Sequence, residues 1–306
     1  ATVDGPSAHG GDDSPHPVIV DTHQHLWDLS KLKPPWLTPA REVLYHNYRT
    51  REYREATRGL NVRAIYMEVD LDPAQHEAEV EHVVQLCRSD DHPTFAAVVG
   101  GRPAAPDFAK YVAWLATKPE IKGVRQVLHR VDTKPGCCLQ TRFIRGVRAL
   151  GEKGLSFDLC MRPAELGDGV ELARRCPDTR LIVDHCGNAD PKAFQPDTDE
   201  KEPAHDADQW RRDMEALAKR PNVICKISGV VARAPENWTA EHVAPIVDHC
   251  LDVFGPDRVV FGSDWPVCLL GATLREWIDA LGQVIAERPA EQRQKLWQTN
   301  AQRFYS

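Results

Sequence analysis

Eight short apolar runs punctuate the chain, at residues 18–25, 63–70, 94–100, 121–128, 155–161, 180–186, 223–229 and 259–264. Each is rich in Val, Ile, Leu or Phe and lacks strict apolar–polar alternation, as expected of parallel strands covered on their outer side by helices. Between them, apolar residues recur at helical spacing. Val80, Val83, Val84 and Cys87 do so within 77–87, and Phe143, Ile144, Val147 and Leu150 within 143–150. Pro106 and Pro163 mark helix starts, where a missing N–H costs little. Eight strands alternating with helices over about 250 residues predict an α/β fold of the (β/α)8 TIM-barrel type, a single domain with elaborated loops at its C-terminal face. An open doubly wound sheet would carry a Gly-x-Gly-x-x-Gly turn after its first strand, and none follows residue 25. Residues 27–50 and 187–206 are long loops after strands, expected over the barrel mouth. Residues 1–17, rich in Gly, Pro, Ser and Asp, are expected to form a disordered leader rather than a secretory signal, leaving 18–306 for the barrel.

The polar residues that close these runs sit at their C-terminal ends, which a barrel gathers around one cavity. His23 and His25, two apart on a strand, emerge on the same face. Imidazole is the commonest side-chain ligand for zinc, so the pair is half of a metal site or two hydrogen-bonded histidines at the mouth. Asp264, in Gly262-Ser263-Asp264-Trp265-Pro266, stands where a carboxylate can take a proton from a metal-bound water, or cap the next helix. His185 can bind metal, polarise a carbonyl or serve as a buried structural histidine. Glu68 ends an apolar run, where a carboxylate is costly to bury unless it binds metal or pairs with an arginine. Asp70, Asp158 and Asp184 are further strand-end acids. Arg125 and Arg162 offer planar forks, and Lys226 a point charge, for a substrate's carboxylate or hydroxyls. Trp27, Trp36 and Trp265 can stack on a ring face or pack as lids.

Composition narrows the classes. A formal net charge of −7 with interspersed signs argues against a nucleic-acid partner. No run of 18 apolar residues exists, so no membrane span is expected. The nine cysteines are scattered without a Cys-x-x-Cys, which points to a reduced, cytoplasmic setting. A serine hydrolase would carry a Gly-x-Ser-x-Gly elbow, and the chain has none.

In order along the chain come Asp21-Thr22-His23-Gln24-His25-Leu26-Trp27-Asp28, Lys122-Gly123-Val124-Arg125-Gln126, Asp184-His185-Cys186-Gly187, Lys226-Ile227-Ser228-Gly229 and Phe261-Gly262-Ser263-Asp264-Trp265-Pro266. This series resembles the amidohydrolase superfamily, specifically the amidohydrolase-2 group that contains sugar-acid lactonases and related lactone hydrolases. The resemblance spans the chain from residue 18 onward. It implies hydrolysis of a lactone by an activated water on one divalent ion, zinc or else manganese, held by His23, His25 and Asp264; by its position at a strand end, Glu68 could complete that site. Asp264 and His185 would be catalytic, and Arg125, Arg162, Lys226 and Trp27 would bind a small-molecule substrate. Strand five carries no histidine, and Lys122 lies at the start of strand four rather than its end, which speaks against a binuclear centre. Relatives that work without metal keep a metal-independent lactonase in view, and sister groups a decarboxylase. A barrel that binds sugar acids or metal without turnover is the non-catalytic alternative.

Overall fold

The computed structural model describes residues 18–90, 92–195 and 205–306. The expected leader, and residues 196–204 of the second long loop, lie outside them. Eight strands, β1 Ile19–Gln24, β2 Val62–Met67, β3 Thr94–Gly100, β4 Ile121–Val127, β5 Ser156–Cys160, β6 Leu181–Val183, β7 Val223–Ile227 and β8 Val259–Phe261, lie in sequence order. Every adjacent pair from β1 to β8 is parallel, and helices alternate with them as in a (β/α)8 barrel. The helical patterns at 77–87 and 143–150 fall in helices His76–Cys87 and Thr141–Glu152. Pro163 opens a short turn ahead of helix Leu166–Arg175.

Several strands end earlier than the apolar pattern suggests, notably β2, β6 and β8. The cause is local. Asp70, His185 and Asp264 adopt left-handed backbone conformations, with φ of 52°, 54° and 57°, and such residues leave the sheet and turn their side chains over its end. For a non-glycine residue this conformation costs about 1–2 kcal/mol, so the surrounding contacts must hold it in place.

The core has two layers. Val20, Ile65, Met67, Ala96, Val98, Ile182 and Val260 fill the barrel's interior, closed from one side by Ala301 of the last helix, Asn300–Phe304, and by Tyr305 just after it. A larger cluster lies between strands and helices. In β1 the register slips: Asp21 pairs with Ala64 and Gln24 with Tyr66, so three steps on β1 match two on β2. Such an irregularity re-aims side chains, which lets Val20 and His23, an odd number apart, both face the interior.

β1 and β8 meet through few backbone contacts. A bridge joins Gln24 and Trp265, and the His25 N–H donates to the Trp265 carbonyl at 2.8 Å. The Thr22 hydroxyl donates to the Phe261 carbonyl at 2.6 Å, and the buried Asp21 carboxylate adds four more hydrogen bonds. Its Oδ1 accepts from the Ser263 and His23 N–H groups at 2.7 and 3.1 Å, and its Oδ2 from the Ser263 and Tyr53 hydroxyls at 2.6 and 2.8 Å. Burial pushes the Asp21 carboxyl above its ordinary range, against the pull of these donors. Asp21→Ala leaves the Ser263 N–H buried without a partner and is expected to destabilise the fold by about 3 kcal/mol. Urea unfolding of both proteins, with activity measured alongside, checks this; an unchanged midpoint would refute the latch.

Candidate active site

The C-terminal ends of the strands surround a cavity of about 600 Å³. At its floor His25, His185 and Asp264 line the cavity, and His23 lies buried just beneath them, so that three imidazoles face one carboxylate. The Nε2 atoms of His25, His23 and His185 lie 3.3, 3.7 and 3.9 Å from Asp264 Oδ1. His25 is oriented from behind by the Met67 carbonyl, 3.1 Å from Nδ1. His185 is oriented by Ser228 Oγ, 2.9 Å from its Nδ1. The Ser228 turn runs through Gly229, where a Cβ would stand 2.4 Å from His185 Nδ1; only glycine lets that backbone approach the ring. Burial lowers the basicity of His185 below the ordinary value. For Asp264, burial opposes the charge, but His185, His25 and Arg125 outweigh it and hold the carboxyl below its usual range. The floor therefore sets an anion beside the weakly basic ring of His185.

Beneath it lies a buried ion network. Lys226 is fully buried, with Nζ 2.8 Å from Asp158, 3.1 Å from Asp184 and 3.2 Å from His23 Nδ1. Arg125 donates from Nε to Glu68 Oε1 at 2.7 Å and from Nη1 to Asp184 at 3.2 Å, and that same Nη1 stands 3.2 Å from His23 Nε2. His23 thus has a cationic donor at each ring nitrogen. Burial, then Lys226, drive its pKa well below the ordinary histidine value. Burial raises Asp158 to about 7, whereas Lys226, His23 and Arg125 hold Asp184 well below the carboxylate range despite its burial.

The walls are mixed. Trp36, Leu44 and Val69 give an apolar side, and Asp70, His129, Arg130, Asp132, Asn188 and Arg233 a polar one. Arg130 pairs with Asp70 at 2.8 Å and with Asp132 at 3.0 Å. Arg233 donates to the Asn188 backbone and side-chain oxygens at 2.7 and 3.2 Å; among the described residues no carboxylate pairs with it. Cys160 lines the cavity with Sγ 3.4 Å from His129 Nδ1, but burial pushes its thiol up to about 12, so it is no nucleophile near neutrality.

The structure brings His23, His25, His185, Asp264 and Arg125 together as the strand ends suggested. It places four expected residues elsewhere. Glu68 is not free to ligate: its carboxylate is held by Arg125 and by the Asp70 N–H at 2.6 Å. Lys226 is enclosed beneath the floor and cannot reach a substrate. Arg162 donates to the carbonyls of Leu128, Arg130 and Thr133 and pairs with Glu165, bracing the loop after β4 instead of lining the cavity. Trp27 is buried, its Nε1 donating to the His46 carbonyl and its backbone bridged to Tyr48. Trp36, not Trp27, presents a ring to the cavity. The wall residues His129, Arg130, Asp132 and Arg233 were missed by sequence reasoning. For the first three the available signal was the polar run that directly follows β4.

The amidohydrolase family model matches residues 20–306. The chain belongs to the amidohydrolase family. It is 30% identical to an L-fucono-1,5-lactonase from Burkholderia multivorans, over 94% of this chain and 95% of that protein. It is 24% identical to an L-rhamnono-gamma-lactonase from Scheffersomyces stipitis, over 94% and 98% respectively. Among solved structures it resembles an amidohydrolase from B. multivorans with zinc bound, with a TM-score of 0.78 and 28% identity, covering 94% of this chain and 99% of that one. Among the described residues of this amidohydrolase no helix is long and apolar enough to cross a membrane, and all nine cysteines are unpaired.

His129 offers a direct check on the wall's electrostatics. Burial, then Arg233 and Arg125, lower its pKa to about 4, so it is neutral at pH 7. An NMR titration is expected to find this imidazole titrating far below the free value, and Arg233→Ala to move it upward. A titration near 6.5 in the unmodified protein would contradict the arrangement.

Proposed function

We propose that this amidohydrolase opens the lactone ring of a sugar acid by attack of water. The observation that carries the reading is the convergence of three imidazole Nε2 atoms on Asp264 Oδ1 at the floor of the cavity. The lactonases among its relatives support the choice of bond. The walls suit a polyhydroxylated ring, because paired carboxylates and guanidinium groups can accept from and donate to hydroxyls while Trp36 covers an apolar face.

In this reading Asp264 Oδ1 takes a proton from the attacking water as its oxygen bonds to the lactone carbonyl carbon. With Ser228 donating to His185 Nδ1, the His185 proton sits on Nε2 and is directed at the carbonyl oxygen, where negative charge develops. A donor so placed contributes typically about 3–4 kcal/mol. Asp264 then returns its proton to the ring oxygen as the C–O bond breaks, giving the hydroxy acid. Arg233 holds substrate hydroxyls or a carboxylate at the rim.

The donor set fits one divalent ion. The Nε2 atoms of His23 and His25 lie 3.7 and 3.3 Å from Asp264 Oδ1. Tetrahedral zinc with bonds of about 2.0–2.1 Å sets its ligands roughly 3.3 Å apart. The Met67 carbonyl behind His25 fixes the tautomer that leaves Nε2 free. His23, His25 and Asp264 would hold the ion, which when bound lowers the pKa of water and supplies hydroxide near neutrality. A second reading, hydrolysis without an ion, is favoured by the Arg125 guanidinium 3.2 Å from His23 Nε2, which places a fixed positive charge beside the same lone pair.

Proton release from a panel of aldonolactones and carboxylated lactones, with and without added zinc, tests the function. Hydrolysis of a stereochemical subset is expected; no turnover on any lactone under either condition would overturn the reading. Asp264→Asn is expected to lower kcat by about 10²–10⁴-fold with the fold intact by circular dichroism. Arg233→Ala is expected to raise KM by roughly tenfold or more with little change in kcat. Exhaustive chelation separates the two readings: lost activity restored by zinc supports the ion, and full retained activity supports the metal-free route.

A further inference from the structure

Three cysteines that take no part in this chemistry meet behind the floor. Cys186 follows His185 in the left-handed turn after β6, with φ of 51°. Cys225 belongs to β7 and Cys250 to helix Ala240–Phe254, which packs against that strand. All three are fully buried, and their Sγ atoms lie within 4.8 Å of one another. We propose that Cys186, Cys225 and Cys250 form a site for one thiophilic divalent cation, separate from the histidine–aspartate cluster.

The geometry is close to that of a bound state. Three thiolates around a cation with metal–sulfur bonds of about 2.3 Å stand roughly 4.0 Å apart, so the triad needs less than an ångström of contraction. The turn that carries Cys186 can supply it: its carbonyl is held by Trp210 Nε1 at 2.9 Å, while its thiol already meets those of Cys225 and Cys250 and contacts the Lys226 carbonyl only weakly, at 3.8 Å. A fourth soft atom lies at the same turn, since a Cβ at Gly187 would stand 2.9 Å from Met214 Sδ. Thiolates select soft cations over the harder ions that carboxylates and waters hold. On uptake each S–H bond breaks, a sulfur–metal bond forms and the proton passes to solvent. Three thiolates and a divalent ion leave a single negative charge, less than a monovalent ion would leave in this dry setting. The bound cation would tie the His185 turn to β7 and to the helix behind it.

Cadmium(II) is the probe, titrated into the full-length protein and followed by ultraviolet sulfur-to-metal charge transfer. The expected result is a band that saturates at one cadmium per chain, with three protons released and the melting temperature raised by several degrees. Cys250→Ser and Cys225→Ser are expected to abolish the band, and Cys87→Ser to leave it unchanged. At the histidine–aspartate cluster, among the described residues, only Cys160 can offer sulfur, so a band that Cys225→Ser and Cys250→Ser abolish stands apart from the outcome of the lactone assay. No charge-transfer band at stoichiometric cadmium, or a band that survives both substitutions, would overturn the proposal. If a variant fails to fold, cadmium NMR of the unmodified protein decides: a resonance in the sulfur-ligated range supports the site, and nitrogen–oxygen coordination alone refutes it.

Discussion

The carboxylate of Asp21 joins the two ends of the sheet, and the geometry of the candidate active site follows from that junction. Strands β1 and β8 share little backbone pairing, yet His23 and His25 come from one and Asp264 follows the other. Asp21 accepts from the Ser263 backbone immediately before Asp264 and from the His23 backbone on its own strand. With the Thr22 hydroxyl, which donates to the Phe261 carbonyl at 2.6 Å, this group ties the closure of the barrel to the distance between an imidazole pair and its carboxylate. Four donors on one carboxylate make this a directional joint; apolar packing alone would let the strands slide. The glycine at 262 is needed there too, since a Cβ would come within 2.8 Å of His23 Cβ.

Charge compensation beneath the floor is the second constraint. Lys226 and Arg125 face Glu68, Asp158 and Asp184 with little or no exposure. A network of this kind adds little net stability compared with apolar packing, but removing one member strands its partners in a dry interior. Its value here is positional. Burial, with Lys226 at one ring nitrogen, keeps His23 uncharged, and a neutral ring is what either hydrolytic reading requires.

Much of the barrel was legible because parallel strands covered by helices read as apolar runs, and β3 falls at the expected residues 94–100. The strand ends were less so. Asp70, His185 and Asp264 leave the sheet through left-handed conformations, which hydrophobicity does not encode. The site's floor could be read because strand-end position alone brings His23, His25, His185 and Asp264 together. Roles that depend on which neighbour a side chain meets could not. Glu68 and Arg125 were both visible, but only the fold shows that they bind each other. Arg162 and Lys226 look like anion binders in sequence, and one is turned to loop carbonyls while the other is enclosed by acids.

This division also governs what relatedness can carry across. Floor residues stand on strands and on turns held by buried hydrogen bonds, so identity near 30% over nearly the whole chain suffices to keep such a frame. The walls are built from connecting segments, with Trp36 tied to Val69 by one hydrogen bond of 2.8 Å and Arg233 to Asn188 by two. Loops of this kind change length and composition without disturbing the barrel beneath. Substrate choice therefore rests on the part of the molecule where kinship is least informative. There the guanidinium of Arg233 has no carboxylate partner among the described residues, and the ring of His129 is neutral, features that the relatives' lactone specificities do not report.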